Sequence, residues 1–127
     1  MKTNKPLAYK DFTSWPVWQK ASILLLAVYR ITAQFPDEEK YGLISNMRRA
    51  ANSVTENIAE GYGRFENKDK SRFYKISRGS CYELISQTLS SYSLNYMTHE
   101  DKIELMGYKE IINELDSIIK TVETRPR

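Results

Sequence analysis

MRRAANSVTENIAEGYGR, Met47 to Arg64, combines an apolar stripe at helical spacing, an Arg pair, a polar row and two closing glycines. On an ideal helix, turning about 100° per residue, Ile44, Met47, Ala51, Val54, Ile58 and Tyr62 gather on one side, with Tyr41 one step upstream. Arg49, Ser53, Glu56, Glu60 and Arg64 gather almost opposite, flanked by Asn52 and Asn57, and Arg48 lies nearer the apolar edge. Asp37, Glu38 and Glu39 precede this helix, where negative charge favours the positive end of its dipole. Gly61 and Gly63 are expected to supply the left-handed conformation that stops it.

Upstream, Thr13 or Ser14 can cap an earlier helix with Pro16 in its first turn. Val17, Ala21, Leu24, Val28, Ile31 and Phe35 then form a helical stripe, and Pro36 ends it by excluding helical backbone at the residue before. Downstream, FENKDK (65–70) reads as a polar turn before a third helix from about Asp69 to Tyr96. Its stripe is weak: Phe73, Ile76, Ser80, Leu84 and Thr88, with Gly79 and Cys81 offering a close approach to a neighbour. Thr98 caps a fourth helix carrying Ile111, Leu115, Ile118 and Val122. Short loops and no strand-like alternation predict an all-α, antiparallel up-and-down four-helix bundle. It spans 13–123, between a polar, flexible N-terminal lead (1–12) and a basic C-terminal tail (124–127).

At 127 residues the chain is one domain with enough length for a real core. Its 41% hydrophobic and 28% charged residues suit a globular protein. No window approaches the ~20 apolar residues of a membrane span, and the N-terminus lacks a signal-peptide pattern. A single Cys81 excludes an intramolecular disulfide, so a reduced, cytoplasmic location is expected. The net charge of +3 is uneven: residues 1–35 hold five Lys/Arg against one acid, and 66–80 hold five against two. Such segments permit a polyanionic partner.

Catalysis finds little to build on. His99, the only histidine, sits in a loop-like THED stretch, and Cys81 reads as an interhelical packing residue. There is no Glu-x-x-His pair for a di-metal bundle site, and Gly61-Tyr62-Gly63 lacks the lysine of a phosphate loop. No enzyme, cofactor or metal is expected. Between Tyr62 and Arg78, however, Tyr62, Phe65, Phe73 and Tyr74 interleave with Arg64, Lys68, Lys70, Arg72, Lys75 and Arg78. Cations meet phosphates and exposed rings stack on unpaired bases. Two other readings stay open: Phe73 and Tyr74 as core beside solvated cations, or the Arg49–Glu56–Glu60–Arg64 row pairing across subunits of a scaffold. Trp15, Trp18 and nine tyrosines supply material for such an interface.

The run RRAANSVTENIAEGYGR, with FPDEEKYGL before it and GSCYEL after, resembles the signature of the 23S rRNA intervening-sequence protein family, over about Phe12 to Val122. Asn46 and the Ser53-Val54 pair are mild departures from common family forms. The resemblance implies a bacterial four-helix bundle without enzymatic activity, assembling as a homo-oligomeric ring, expected to be a pentamer. It also points to relatives that serve diversity-generating retroelements, where a basic barrel binds a reverse transcriptase and nucleic acid, RNA or DNA. The expected binding or interface residues are Arg48, Arg49, Asn57, Glu60, Gly61, Gly63 and Arg64, with Arg72, Lys75 and Arg78 as further phosphate contacts.

Overall fold

The computed structural model describes residues 11–126, so the expected lead lies outside them except for its last two residues. Those two are structured: the Asp11 carboxylate accepts from the Thr13 backbone N–H at 3.1 Å and caps a 3-10 turn, Phe12–Ser14. Helix α1 follows, Pro16–Thr32, with Pro16 in the first turn as expected. Its N-cap is Trp15, not Thr13 or Ser14, because the preceding turn has already used those residues. It also ends short of Phe35. Two 3-10 bonds close the chain, Gln34 to Ile31 and Phe35 to Thr32, and fold Phe35 back into the core against Tyr96.

Asp37–Glu39 form a 3-10 turn and Lys40–Ile44 a π turn, hinged where Gly42 takes φ −115° and ψ −110°. The Glu39 carboxylate takes up the Leu43 N–H at 3.1 Å. This irregular entry turns Tyr41 outward, 86% exposed, so it leaves the apolar stripe predicted for it. Helix α2 is Ser45–Gly63 and buries Met47, Ala50, Ala51, Val54 and Ile58.

Helix α3 spans Asn67–Ser93, which shortens the expected turn to residues 64–66. Its buried face is Ser71, Tyr74, Ser77, Ser80, Cys81, Leu84, Thr88 and Ser91, whereas Ile76 is exposed and Phe73 half-buried. Volume explains the correction: small residues at Ser77, Ser80 and Cys81 let α2 approach closely between the larger Tyr74 and Leu84. Ser77 Oγ donates to the Val54 carbonyl at 2.9 Å and Ser80 Oγ to Ser53 Oγ at 2.8 Å, so these polar groups are buried with their partners. The left-handed stop predicted at Gly61 and Gly63 falls elsewhere. Neither has positive φ; Asn95 does, at 63°. The Asn95 N–H donates to the Tyr92 carbonyl and the Tyr96 N–H to that of Ser91, which completes a Schellman motif on α3.

Thr98 and Asp101 form a reciprocal capping box on α4, His99–Leu105. The fourth limb then breaks at Met106-Gly107 and resumes as α5, Tyr108–Thr124. Its buried residues are Tyr108, Ile111, Ile112, Leu115, Ile119 and Val122, so Ile119 takes the inward position expected of Ile118. Among the described residues no helix is long and apolar enough to cross a membrane.

Side chains tie each helix to its neighbours. Trp15 touches Tyr62, and Thr32 receives Arg48. Lys70 reaches Tyr62, and Ser91 reaches Met47. Lys75 meets Glu123, and Arg78 meets Asp116. Lys20 pairs with Glu114, and Arg30 with Glu104 at 2.5 Å. One core joins all the helices, and its end formed by the N-terminus of α1, the α2–α3 turn and the C-terminus of α5 carries most of the aromatic and basic residues described next.

Candidate nucleic-acid interface

The ten residues singled out in the sequence divide by what each side chain touches. Arg48 is turned to its own bundle. Its Nε donates to Thr32 Oγ1 at 2.9 Å, a terminal nitrogen donates to the Tyr29 carbonyl at 3.2 Å, and the guanidinium stacks on the Tyr29 ring. A cation here satisfies carbonyls at the C-terminal end of α1. Arg49 reaches Glu83 on α3 at 3.4 Å. Asn57 donates to the Ser53 carbonyl at 2.9 Å and to Ser53 Oγ at 3.0 Å, so it serves the α2–α3 seam.

The glycines differ in kind. A Cβ on Gly61 would come within 2.5 Å of the Tyr74 ring, whereas one on Gly63 would meet nothing within 4 Å. Gly61 is therefore a close-approach position, and it admits a tyrosine that burial raises to a pKa of about 12. The carbonyls at the end of α2 are closed by a residue from the next helix: Lys70 Nζ donates to Gly61 at 3.3 Å and to Tyr62 at 2.8 Å.

Lys75 and Arg78 face α5 and are neutralised there, by Glu123 and Asp116, each at 2.7 Å. Glu123 also accepts from Ser71, and the Lys75 hydrogen bond followed by that of Ser71 draws its pKa below the ordinary carboxylate value. Arg64 pairs with Glu60 at 2.8 Å along one face of α2. The expected Arg–Glu–Glu–Arg row is thus closed within the subunit at both of its arginines.

What remains outward is a smaller set around Phe73. The guanidinium carbons of Arg64 and Arg72 lie 4.6 and 4.3 Å from its ring centroid. Phe65 beside them is 91% exposed. Among the described residues no carboxylate pairs with Arg72 or Lys68. The arginine planes are pre-stacked, and such cation–π contacts contribute about 0.5–1 kcal/mol at exposed sites. The patch can therefore offer a phosphate the Arg72 fork, joined by that of Arg64 where the phosphate displaces Glu60, and an unpaired base an aromatic face.

Cys81 is fully buried, and burial raises its thiol to a pKa of about 12, which leaves no thiolate at neutral pH. Among the described residues no group of three or more His, Cys, Asp or Glu side chains could hold a metal ion. The sequence reading did not single out the cavity beside Lys70, walled by Trp15, Tyr62 and Tyr74 and rimmed by Arg125. Trp15 and Arg125 are far in sequence from Tyr62, Lys70 and Tyr74; the signal was the density of aromatics and cations near Tyr62.

A family model described as 23S rRNA-intervening sequence protein matches residues 13–122. No curated protein gives a significant match to the chain.

Proposed function

The chain belongs to the 23S rRNA-intervening sequence protein family, and from that premise we propose that it is a non-catalytic, nucleic-acid-associated binding or accessory protein. The observation that carries this reading is the Phe73 patch, where Arg64 and Arg72 hold their guanidiniums on one ring beside the exposed Phe65 and the unpaired Lys68. It acts as a homo-oligomeric ring, a pentamer, of antiparallel up-and-down bundles. The opposite order of contacts between neighbouring helices supports the bundle topology. Repetition of a three-cation patch by ring symmetry supports the affinity, since binding grows with the number of phosphates neutralised together. RNA or DNA is the first partner, and a reverse transcriptase is a further one of the kind that the retroelement relatives serve.

A second reading, a protein-interaction scaffold without nucleic acid, is favoured by a different surface. Ile23 and Leu26 on α1 are 64% and 66% exposed, with Tyr29 beside them, an apolar face that a partner would bury. The Arg49 and Glu60 side chains contribute less to that alternative than the sequence suggested, because each has a partner inside the subunit.

Fluorescence anisotropy with a 20-nucleotide single-stranded RNA, over a salt series, tests the proposal. Two unpaired cations per subunit, Lys68 and Arg72, give a log–log salt slope of about −1.4 per engaged subunit, and Arg64 released from Glu60 brings it to about −2. The double variant Arg64→Gln/Arg72→Gln should weaken binding at least tenfold and flatten that slope. Equal binding by the variant, or none by the wild type at low salt, removes the nucleic-acid reading and leaves the scaffold.

A further inference from the structure

The cavity at the basic end of the bundle has its own chemistry. It measures about 290 Å³ and is walled by the rings of Trp15, Tyr62 and Tyr74, with Lys70 and Arg125 at its rim and the Thr121 hydroxyl on α5. Among the described residues no carboxylate lines it. Trp15 sits edge-on to both tyrosines, at 5.3 and 5.9 Å between centroids, so the aromatic wall is fixed by ring-to-ring packing. Lys70 spends two hydrogen bonds on the end of α2 and stands 5.8 Å from the Tyr62 ring centroid, which holds its ammonium in place. Two like charges share one small opening. Burial, then the charge of Arg125, draw the Lys70 pKa below the ordinary lysine value.

Ligand pockets of drug size start at about 300 Å³, so this one has room for a single small aromatic unit. Its walls select a flat ring and its rim selects an anion. We propose that the cavity binds one nucleoside monophosphate unit, with the base against Trp15 and Tyr62 and the phosphate between the Lys70 ammonium and the Arg125 guanidinium. The unit has two sources, a free mononucleotide or the 5′-phosphorylated end of a strand; only the second rests on the nucleic-acid function proposed above.

Isothermal titration of the full chain with AMP, adenosine and inorganic phosphate tests the chemistry. AMP should bind at least tenfold more tightly than either part alone. Arg125→Gln, which removes one phosphate donor, and Thr121→Trp, which fills the cavity, should each weaken AMP at least tenfold. Arg125 lies past the end of α5 and Thr121 is exposed, and circular dichroism will verify that both variants fold. AMP binding no tighter than phosphate, or unchanged in both variants, overturns the inference. Competition with a 12-nucleotide RNA separates the sources. Displacement of AMP by the 5′-phosphorylated but not the 5′-hydroxyl strand assigns a strand end, and displacement by neither assigns a free nucleotide. RNA binding without AMP binding sinks the cavity while sparing the Phe73 patch; AMP binding without RNA binding does the reverse.

Discussion

Gly61 and Gly63 show how two identical letters can do different physical work. Both were expected to end α2 by left-handed backbone, yet both have negative φ, and the two part company on what surrounds them. Alanine at Gly61 gains about 1 kcal/mol of helix propensity but drives a methyl into the Tyr74 ring, and overpacking of this kind costs about 1–3 kcal/mol. Alanine at Gly63 meets open space and keeps the gain. Urea titration should therefore find Gly61→Ala destabilised and Gly63→Ala unchanged or stabilised by up to about 1 kcal/mol. The opposite ranking would remove the close-approach account of Gly61. Arg48 teaches a related lesson. It was expected to be a binding or interface residue, but the Thr32 hydroxyl and the Tyr29 carbonyl and ring already occupy it.

Among the elements, α3 was the least legible, because its inward face is made of serines. Large apolar residues at helical spacing drew the prediction to Phe73 and Ile76, while the true seam trades hydrophobic volume for proximity and places the Ser77, Ser80 and Ser91 hydroxyls on partners in α2. The clear stripes of α1 and α5, and the Thr98 cap, were readable because there burial and periodicity agree. The join between α3 and α5 is partly electrostatic, through Glu123, whose folded pKa is depressed by Lys75 and Ser71. A depressed carboxylate stabilises the fold in full above its unfolded pKa, about 4.3 for Glu, and loses that contribution as pH falls through the folded value. Glu123→Gln should lower Tm at pH 7, and the gap from wild type should close between about pH 4.3 and more acidic values. A constant gap down to pH 3 would show that the pairing adds nothing in solution.

For the whole molecule, the proposed assembly is the property to test, and the apolar face of α1 is its candidate surface. Ile23, Leu26 and Tyr29 face outward from a helix whose other side is already packed. A single exposed substitution usually changes stability by no more than about 0.5 kcal/mol. Leu26→Glu should accordingly leave the monomer's melting unchanged while converting the oligomer to monomer, as read by size-exclusion chromatography with light scattering. An intact ring in Leu26→Glu places the interface elsewhere. The same measurement with RNA at low and high salt links assembly to binding, since a monomeric variant keeps its patch but loses its multiplicity.

The sequence by itself determined the helical class, the approximate limits of most helices, the family and the basic, aromatic character of residues 62–78. These are properties of periodicity and composition, written locally in the chain. Tertiary structure decided which cations remain free, because ion pairs such as Arg78–Asp116 and Lys75–Glu123 join residues that no local pattern connects. It also decided that Gly61 yields to a ring from the next helix, and that Trp15, Lys70 and Arg125 share one cavity. Charge neutralisation and close packing depend on distance in space, and only the folded chain sets those distances.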